Sequence, residues 1–297
     1  MQTTSVKQFS LRVDEDGLLM EFLMRRLNGY SRTSIKSLLS HRQVWLNDSM
    51  VLSRHDDAVK KGDKISIRSS KGMMRQRLEH PLLKVVYEDE AVIVVDKGCG
   101  LLSVGTDKEK EKTAYHLLNV YMKQLGPKYR IYVVHRLDRD TSGLMVFAKT
   151  QEAQEKLQAN WNDMVIERSY IAVVQGIVPD DEGVIKSYLT EDKQLRMHAS
   201  PTDNGGQYAE THYEVLYRGK AYTMLKLDLA TGRKNQIRVQ LQAIGFPISG
   251  DKKYGGDTSP AKRLCLHAAT LKFTHPLTGR PLSFTLPTPA AFQRMMK

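Results

Sequence analysis

Two aspartates, two arginines and a histidine crowd into the six residues His135-Arg136-Leu137-Asp138-Arg139-Asp140, with Thr141-Ser142-Gly143 directly behind them. Arg136 and Arg139 flank Asp138 closely. A carboxylate beside cations is ionised at neutral pH, because its charged form is favoured. Such a carboxylate can act as a nucleophile or as a base. His135, Asp138 and Asp140 can also be read as metal ligands, although no second His/Asp cluster accompanies them. The same run is ordinary turn chemistry too, since Asp and Ser bond nearby backbone and Gly supplies positive φ. Spacing alone leaves these readings open.

Whatever this run does, core strands must hold it. Leu144 to Ala148 is apolar and reads as a buried strand, and Ile131 to Val134 upstream reads the same way. A polar loop pinned between two such strands is a rigid mount for reactive groups. Residues 85–95 predict a hairpin turning at Glu88-Asp89-Glu90. Ala114 to Leu125 and Glu152 to Trp161 predict helices, and Glu167 to Val174, Thr211 to Leu216 and Ala221 to Leu229 predict strands. Thr231-Gly232 looks like the start of a helix in which Ile237 and Leu241 face the core and Arg238 the opposite side or edge. A last hairpin is expected from Leu271-Lys272-Phe273 and Leu282-Ser283-Phe284.

The totals narrow the partners. The chain has 297 residues, 41% of them hydrophobic, enough for a real core in one large domain or two smaller ones. Its net charge of +12 points to a polyanion: nucleic acid or an anionic membrane surface. No apolar run approaches the roughly 20 residues of a spanning helix, and Met1 to Ser10 lacks the apolar stretch of a signal peptide. Cys99 and Cys265 are the only cysteines, which excludes a disulfide framework and a four-cysteine zinc site. A cytoplasmic protein with a nucleic-acid partner and no membrane is the expectation.

Half of the excess charge, +6, lies in residues 1–80, with 15 Lys+Arg against 9 Asp+Glu. Leu18, Leu19, Phe22, Leu23 and Leu27 recur at helical spacing, and Asn28-Gly29 ends that helix. Ser31 is a candidate cap for a second helix carrying Ile35, Leu38 and Leu39, on which Arg32 and Lys36 share a face. Val44 to Asn47 and Lys64 to Arg68 read as short strands. Residues 69–80 are polar and basic and read as a hinge.

Taken whole, His135-Arg136-Leu137-Asp138 with Thr141-Ser142-Gly143-Leu144 resembles motif II of the RluA-type RNA pseudouridine synthases. Lys97-Gly98-Cys99-Gly100-Leu101 resembles motif I, with Gly98 where the family has proline, and that motif is thought to lie beneath the active site. Residues 231–241 resemble the third motif, in which Thr-His more commonly stands where this chain has Lys234-Asn235. The first domain resembles an S4 RNA-binding domain through Ser34, Lys36, Leu38, Leu39, Val44, Asn47, Gly62 and Asp63.

The resemblance implies an α+β pseudouridine synthase fold, a mixed and mostly antiparallel sheet with flanking helices, at residues 82–297. An S4-like domain at residues 1–72 and a linker at 73–81 would precede it. It makes Asp138 the catalytic aspartate and Arg238 its partner, keeping it charged and aimed. Tyr170, by itself an ordinary core tyrosine of a strand, becomes the ring that stacks on the target uracil and can take part in proton transfer. Leu266 would pack against that tyrosine and the base, Arg136 would fill the space of the flipped base, and Arg233 would support the loop or the RNA backbone. Arg32, Lys36 and Arg42 would grip RNA, with Arg25 and Arg26 as further candidates. The implied activity is uridine-to-pseudouridine isomerisation, in large-subunit ribosomal RNA before transfer RNA, by a monomer without metal or organic cofactor. Two rivals from other classes stand beside it: a non-catalytic RNA-binding assembly factor, and a metal-dependent hydrolase using His135, Asp138 and Asp140.

Overall fold

Strands with one wet face alternate in polarity, whereas strands buried on both faces are continuously apolar. Both kinds occur in the computed structural model of the chain, which describes residues 9–40, 43–47, 50–52, 54–67, 78–126 and 129–297. Two compact units divide the chain: Met1–Arg77 with Asn119–Arg130, and Leu78–Leu118 with Ile131–Lys297.

The first unit contains β1 (Phe9–Arg12), β2 (Gly17–Leu18), α1 (Leu19–Arg26), α2 (Arg32–Ser40), β3 (Val44–Leu46), β4 (Met50–Leu52), β5 (Ala58–Val59) and β6 (Lys64–Ile67). A four-stranded sheet runs β1-β6-β3-β4, and β2 pairs with β5. The apolar faces of the helices, Leu19, Phe22 and Leu23 with Ile35 and Leu39, close on Val44, Ile65 and Ile67 of the sheet. Ser31 caps α2 as expected, its Oγ accepting from Ser34 N at 3.1 Å. Asn47 and Asp63 lock their turns together. Asn47 Nδ2 donates to Asp63 Oδ1 at 2.9 Å, and Lys64 N donates to Asn47 Oδ1 at 2.9 Å. Of the expected hinge, residues 69–77 lie outside the described residues.

The second unit opens with β7 (Leu83–Glu88) and β8 (Val92–Lys97), the expected hairpin. Asp89 Oδ1 holds its turn by accepting from Ala91 N and Val92 N, both at 2.8 Å. Then come α3 (Ala114–Lys123), β9 (Tyr132–Val133), β10 (Ser142–Ala148), α4 (Gln151–Ala159), α5 (Trp161–Met164), β11 (Val165–Gln175), β12 (Glu182–Glu191), β13 (Met197–Ser200), β14 (Gln207–Arg218), β15 (Tyr222–Leu229), α6 (Gln236–Ala243), β16 (Leu266–Thr274), β17 (Pro281–Thr285) and α7 (Ala290–Arg294). Residues of α3 from Asn119 onward group with the first unit.

An 11-stranded sheet runs β13-β12-β14-β15-β11-β16-β10-β8-β7, with β17 on β16 and β9 on β10. Its parallel ladder is β10 with β16; the other described ladders are antiparallel. This is the mixed, mostly antiparallel α+β architecture expected. β10 is buried at every residue because it lies between β8 and β16 and carries core on both faces. Leu144, Val146 and Ala148, alternate residues of one face, pack with Ala153 and Leu157 of α4. Ile237 and Leu241 of α6 pack with Ile171, Val173, Leu225 and Leu227 of β11 and β15.

Three expectations are corrected. Ser142 and Gly143 belong to the strand and not to the polar loop, because Gly143 sits against β16 at φ +115° where a Cβ would come 2.2 Å from Ala268 O. The helix expected from Glu152 to Trp161 is two, broken at Asn160. The helix of the third motif starts at Gln236, not at Thr231-Gly232. Thr231 Oγ1 instead accepts from Glu210 N at 2.9 Å and donates to Gln236 Oε1 at 2.7 Å, which holds the preceding residues in a turn.

Candidate active site

The loop before β10 is fixed on both sides of Asp138. Ser103 Oγ donates to Leu137 O at 2.7 Å and accepts from Leu137 N at 3.1 Å, so one buried hydroxyl satisfies both backbone groups of that residue. On the other side Lys97, fully buried, donates to Arg139 O and Gly98 O at 3.1 Å and to Leu101 O at 2.9 Å. Burial pushes the Lys97 pKa down to about 8. Gly100 N adds a bond to Arg139 O at 2.9 Å, and Thr141 N closes the turn on Asp138 O at 3.2 Å. Lys97 thus joins the turn of residues 98–101 to the loop of Asp138.

His135 is committed elsewhere. Its Nε2 accepts from Val146 N at 3.1 Å, and its ring packs on Trp161 at a tilt of 37° with centroids 4.8 Å apart. Burial, then the nearby Arg168 charge, lowers its pKa to about 3, so the ring is neutral with its proton on Nδ1. A lone pair spent on the backbone is not free for a metal, and the metal-ligand reading of His135 with Asp138 and Asp140 is set aside on that geometry.

α6 supplies the partners of Asp138. Arg238, in its first turn, donates from Nη1 to Asp138 Oδ2 at 3.1 Å. Its other donors form a fork on Asp251, Nε to Oδ2 at 2.7 Å and Nη2 to Oδ1 at 2.8 Å. The Arg238 side chain is 11% exposed and that of Asp251 0%, so this is not the exposed ion pair that contributes little. Burial opposes the Arg238 cation, but the bonds and charge of Asp251, then of Asp138, outweigh it and raise its pKa above the ordinary value. Asn235 Nδ2 donates to Asp138 Oδ2 as well, at 2.6 Å. Tyr254 lies over Arg238, ring centroid to guanidinium carbon 5.1 Å. Gln236, buried, secures the turn before the helix by accepting from Arg233 N at 2.9 Å and donating to Glu210 O at 3.0 Å.

β11 and β16 supply the apolar wall. Tyr170 and Leu266 lie on these paired strands and pack in one cluster. Burial pushes the Tyr170 phenol up to about 12, so it is protonated at neutral pH.

Six residues named from the sequence therefore line a single cleft: Asp138, Tyr170, Arg238, Arg136, Arg233 and Leu266. Arg233 Nε bonds Tyr208 O at 3.2 Å and props the loop. Arg32 and Lys36 are exposed on α2 of the first unit, and Arg42 lies outside the described residues. Arg25 is engaged by Asp14, at 2.7 Å, and by Glu15, so it is not a free basic group. Asn235, Asp251, Tyr254 and Ser103 were missed as site residues. Nothing in the spacing of the sequence says that Asp251 meets Arg238 across a loop. Asn235 carried one signal, its departure from the commoner Thr-His form.

A cleft with an aspartate held by an arginine, an aromatic ring and an apolar wall, on a mostly antiparallel sheet, suits the handling of a nucleobase. Residues 91–243, just over half of the chain, match the family model described as RNA pseudouridylate synthase. An uncharacterised RNA pseudouridine synthase of Bacillus subtilis is 34% identical, over 97% of this chain and 93% of its own. A ribosomal large subunit pseudouridine synthase D of Neisseria meningitidis is 36% identical, over 92% of this chain and 76% of its own. Among solved structures, human RNA pseudouridylate synthase domain containing 4 has the same fold, with a TM-score of 0.58 at 24% identity, covering 70% of this chain and 90% of that one. Sheet and comparisons together define the pseudouridine synthase class. Within it, the chain belongs to the RNA pseudouridine synthases of RluA type, isomerases that act on RNA.

Proposed function

We propose that the protein isomerises specific uridines of large-subunit ribosomal RNA, with Asp138 as the catalytic carboxylate on a flipped-out nucleotide. The observation that carries this is the convergence on one cleft of Asp138 from the loop before β10, Tyr170 from β11, Arg238 from α6 and Leu266 from β16. Relatives bearing the name ribosomal large subunit pseudouridine synthase D support the choice of RNA.

The N1–C1′ bond breaks, the uracil turns, and C5 bonds to C1′. C5 loses its proton and N1 gains one, so product and substrate are isomers and no electrons are exchanged. A stacked base is out of reach, so the target is flipped out or lies in a loop. The extruded uracil stacks on the neutral Tyr170 ring against Leu266. Arg238, anchored by Asp251, aims Asp138 at the ribose or the base. Arg136 takes the space of the extruded base and Arg233 the neighbouring backbone. The chemistry asks for neither metal nor organic cofactor.

Residues 1–72 are proposed as an S4-like RNA-binding domain, 73–81 as linker and 82–297 as the catalytic domain. Arg32, Lys36 and Arg42 grip phosphates and RNA shape without reading bases. The protein works as a cytoplasmic monomer. Incubating it with ribosomal and transfer RNA transcripts and mapping pseudouridine tests the whole. Marks in the large-subunit transcript are expected, marks in transfer RNA alone would move the substrate, and none in any RNA would refute the reading.

A further inference from the structure

We infer that Asn235 is a positioning residue for Asp138 and that, together with Arg238, it reserves Asp138 Oδ1 as the oxygen that meets the nucleoside. The inference rests on Asp138 being the catalytic carboxylate.

Asn235 Nδ2 and Arg238 Nη1 both donate to Oδ2, at 2.6 and 3.1 Å. Oδ1 has no hydrogen-bond partner among the described residues, and the side chain is 31% exposed, in the cleft. Two donors on one oxygen stop rotation of the carboxylate and leave the lone pairs of the other unspent. The two donors differ in kind. The guanidinium brings charge, whereas the amide brings direction without a second cation.

The amide is itself held. Tyr254 Oη donates to Asn235 Oδ1 at 3.0 Å and accepts from Met197 N at 3.1 Å. With its carbonyl oxygen engaged, the amide must turn Nδ2 toward Asp138; reversed, it would set an oxygen against the carboxylate. Tyr254 is 1% exposed, so its hydroxyl is fixed in turn. The backbone of Asn235 is left-handed, φ 52° and ψ 21°, a region that Asn, Asp, His and Gly enter more readily than other residues. The position therefore combines an uncommon backbone with a directed side chain immediately before α6.

The test compares wild type with Asn235→Gly, Asn235→Asp, Asn235→His, Tyr254→Phe and Asp138→Asn. It measures tritium release from a large-subunit ribosomal RNA transcript carrying uridine tritiated at C5, with kcat, KM and the pH profile of kcat, and thermal melting for each variant. Asn235→Gly keeps the left-handed backbone and removes the donor; kcat should fall about 10–100-fold with KM within about threefold. Asn235→Asp keeps the size and sets a second carboxylate against Oδ2, so the acidic limb of kcat should move up by about one pH unit or more. Asn235→His restores an N–H and should recover most of the rate, while Tyr254→Phe, which frees the amide, should cost about 3–10-fold. Wild-type kcat and an unaltered pH profile in Asn235→Gly and Asn235→Asp, with Asp138→Asn inactive, would overturn the inference alone. Rate losses that track melting temperature with no movement of the profile would also overturn it, since they mark a merely structural residue. Activity in Asp138→Asn would overturn the reading beneath it.

Discussion

Arg238 gives Asp251 two hydrogen bonds, at 2.7 and 2.8 Å, and Asp138 a third at 3.1 Å. The fork goes to the wholly buried carboxylate and the single donor to the one in the cleft. Asp251 Oδ1 also accepts from Lys253 N and Tyr254 N at 3.1 Å, so the anchor belongs to the turn that carries Tyr254. The guanidinium is thus set by the protein interior before it reaches Asp138.

Replacing Asp251 by Asn tests that hierarchy. Removing one partner of a buried pair costs up to about 3–5 kcal/mol, and the single bond left to Asp138, at 3.1 Å, offsets only part of it. Urea denaturation should show a loss of that order, and kcat should fall at least about tenfold as the aim of Arg238 loosens. A variant as stable and active as wild type would mean that Asp138 alone suffices to place the guanidinium.

Tyr170 is expected to work as a neutral ring. With its phenol held up to about 12 by burial, it does not ionise between pH 6 and 9. Tyr170→Phe should keep the shape of the pH–rate profile across that range, whereas Tyr170→Ala should lose stacking worth about 1–3 kcal/mol. An alkaline limb that disappears in the Phe variant would instead show the hydroxyl titrating in the reaction.

Two histidines are expected to make the second unit acid-sensitive. Burial, then a neighbouring arginine, lowers His135 to about 3 and His267 to about 4. Both begin near 6.5 in the unfolded chain, so below that pH the unfolded state binds more protons. Their contribution is full above pH 6.5 and is lost as pH falls toward the folded values, by up to about 1.4 kcal/mol per pH unit for each group. His267 Nδ1 lies 2.8 Å from Ser142 Oγ, which also accepts from Arg263 Nη2 at 2.6 Å, so an added proton meets a cation. Denaturation at a series of pH values should show a flatter acid slope in His267→Gln than in wild type. Parallel slopes would exclude the linkage.

Local chemistry made much of this legible. Leu144 to Ala148 announces a buried strand because its residues are continuously apolar, and Ser31 announces a cap because its hydroxyl can reach back to the helix. The convergence of Asp138, Tyr170, Arg238 and Leu266 was accessible only through a family resemblance, since no spacing rule joins positions on four separate elements. Long-range partners stayed hidden. Ser142 and Gly143 look like turn residues until β16 lies beside them, and Thr231-Gly232 looks like a helix start until Gln236 and Glu210 tie it into a turn. Asn235 and Asp251 are ordinary polar residues until the fold sets them against Asp138 and Arg238.

Asp138→Asn bears most directly on the catalytic role of Asp138. The amide keeps the size of the side chain and removes the reactive carboxylate, so pseudouridine formation on the large-subunit ribosomal RNA transcript should fall to background, while RNA affinity stays within about threefold of wild type. Pseudouridine accumulating at the wild-type rate in this variant would contradict Asp138 as the catalytic group.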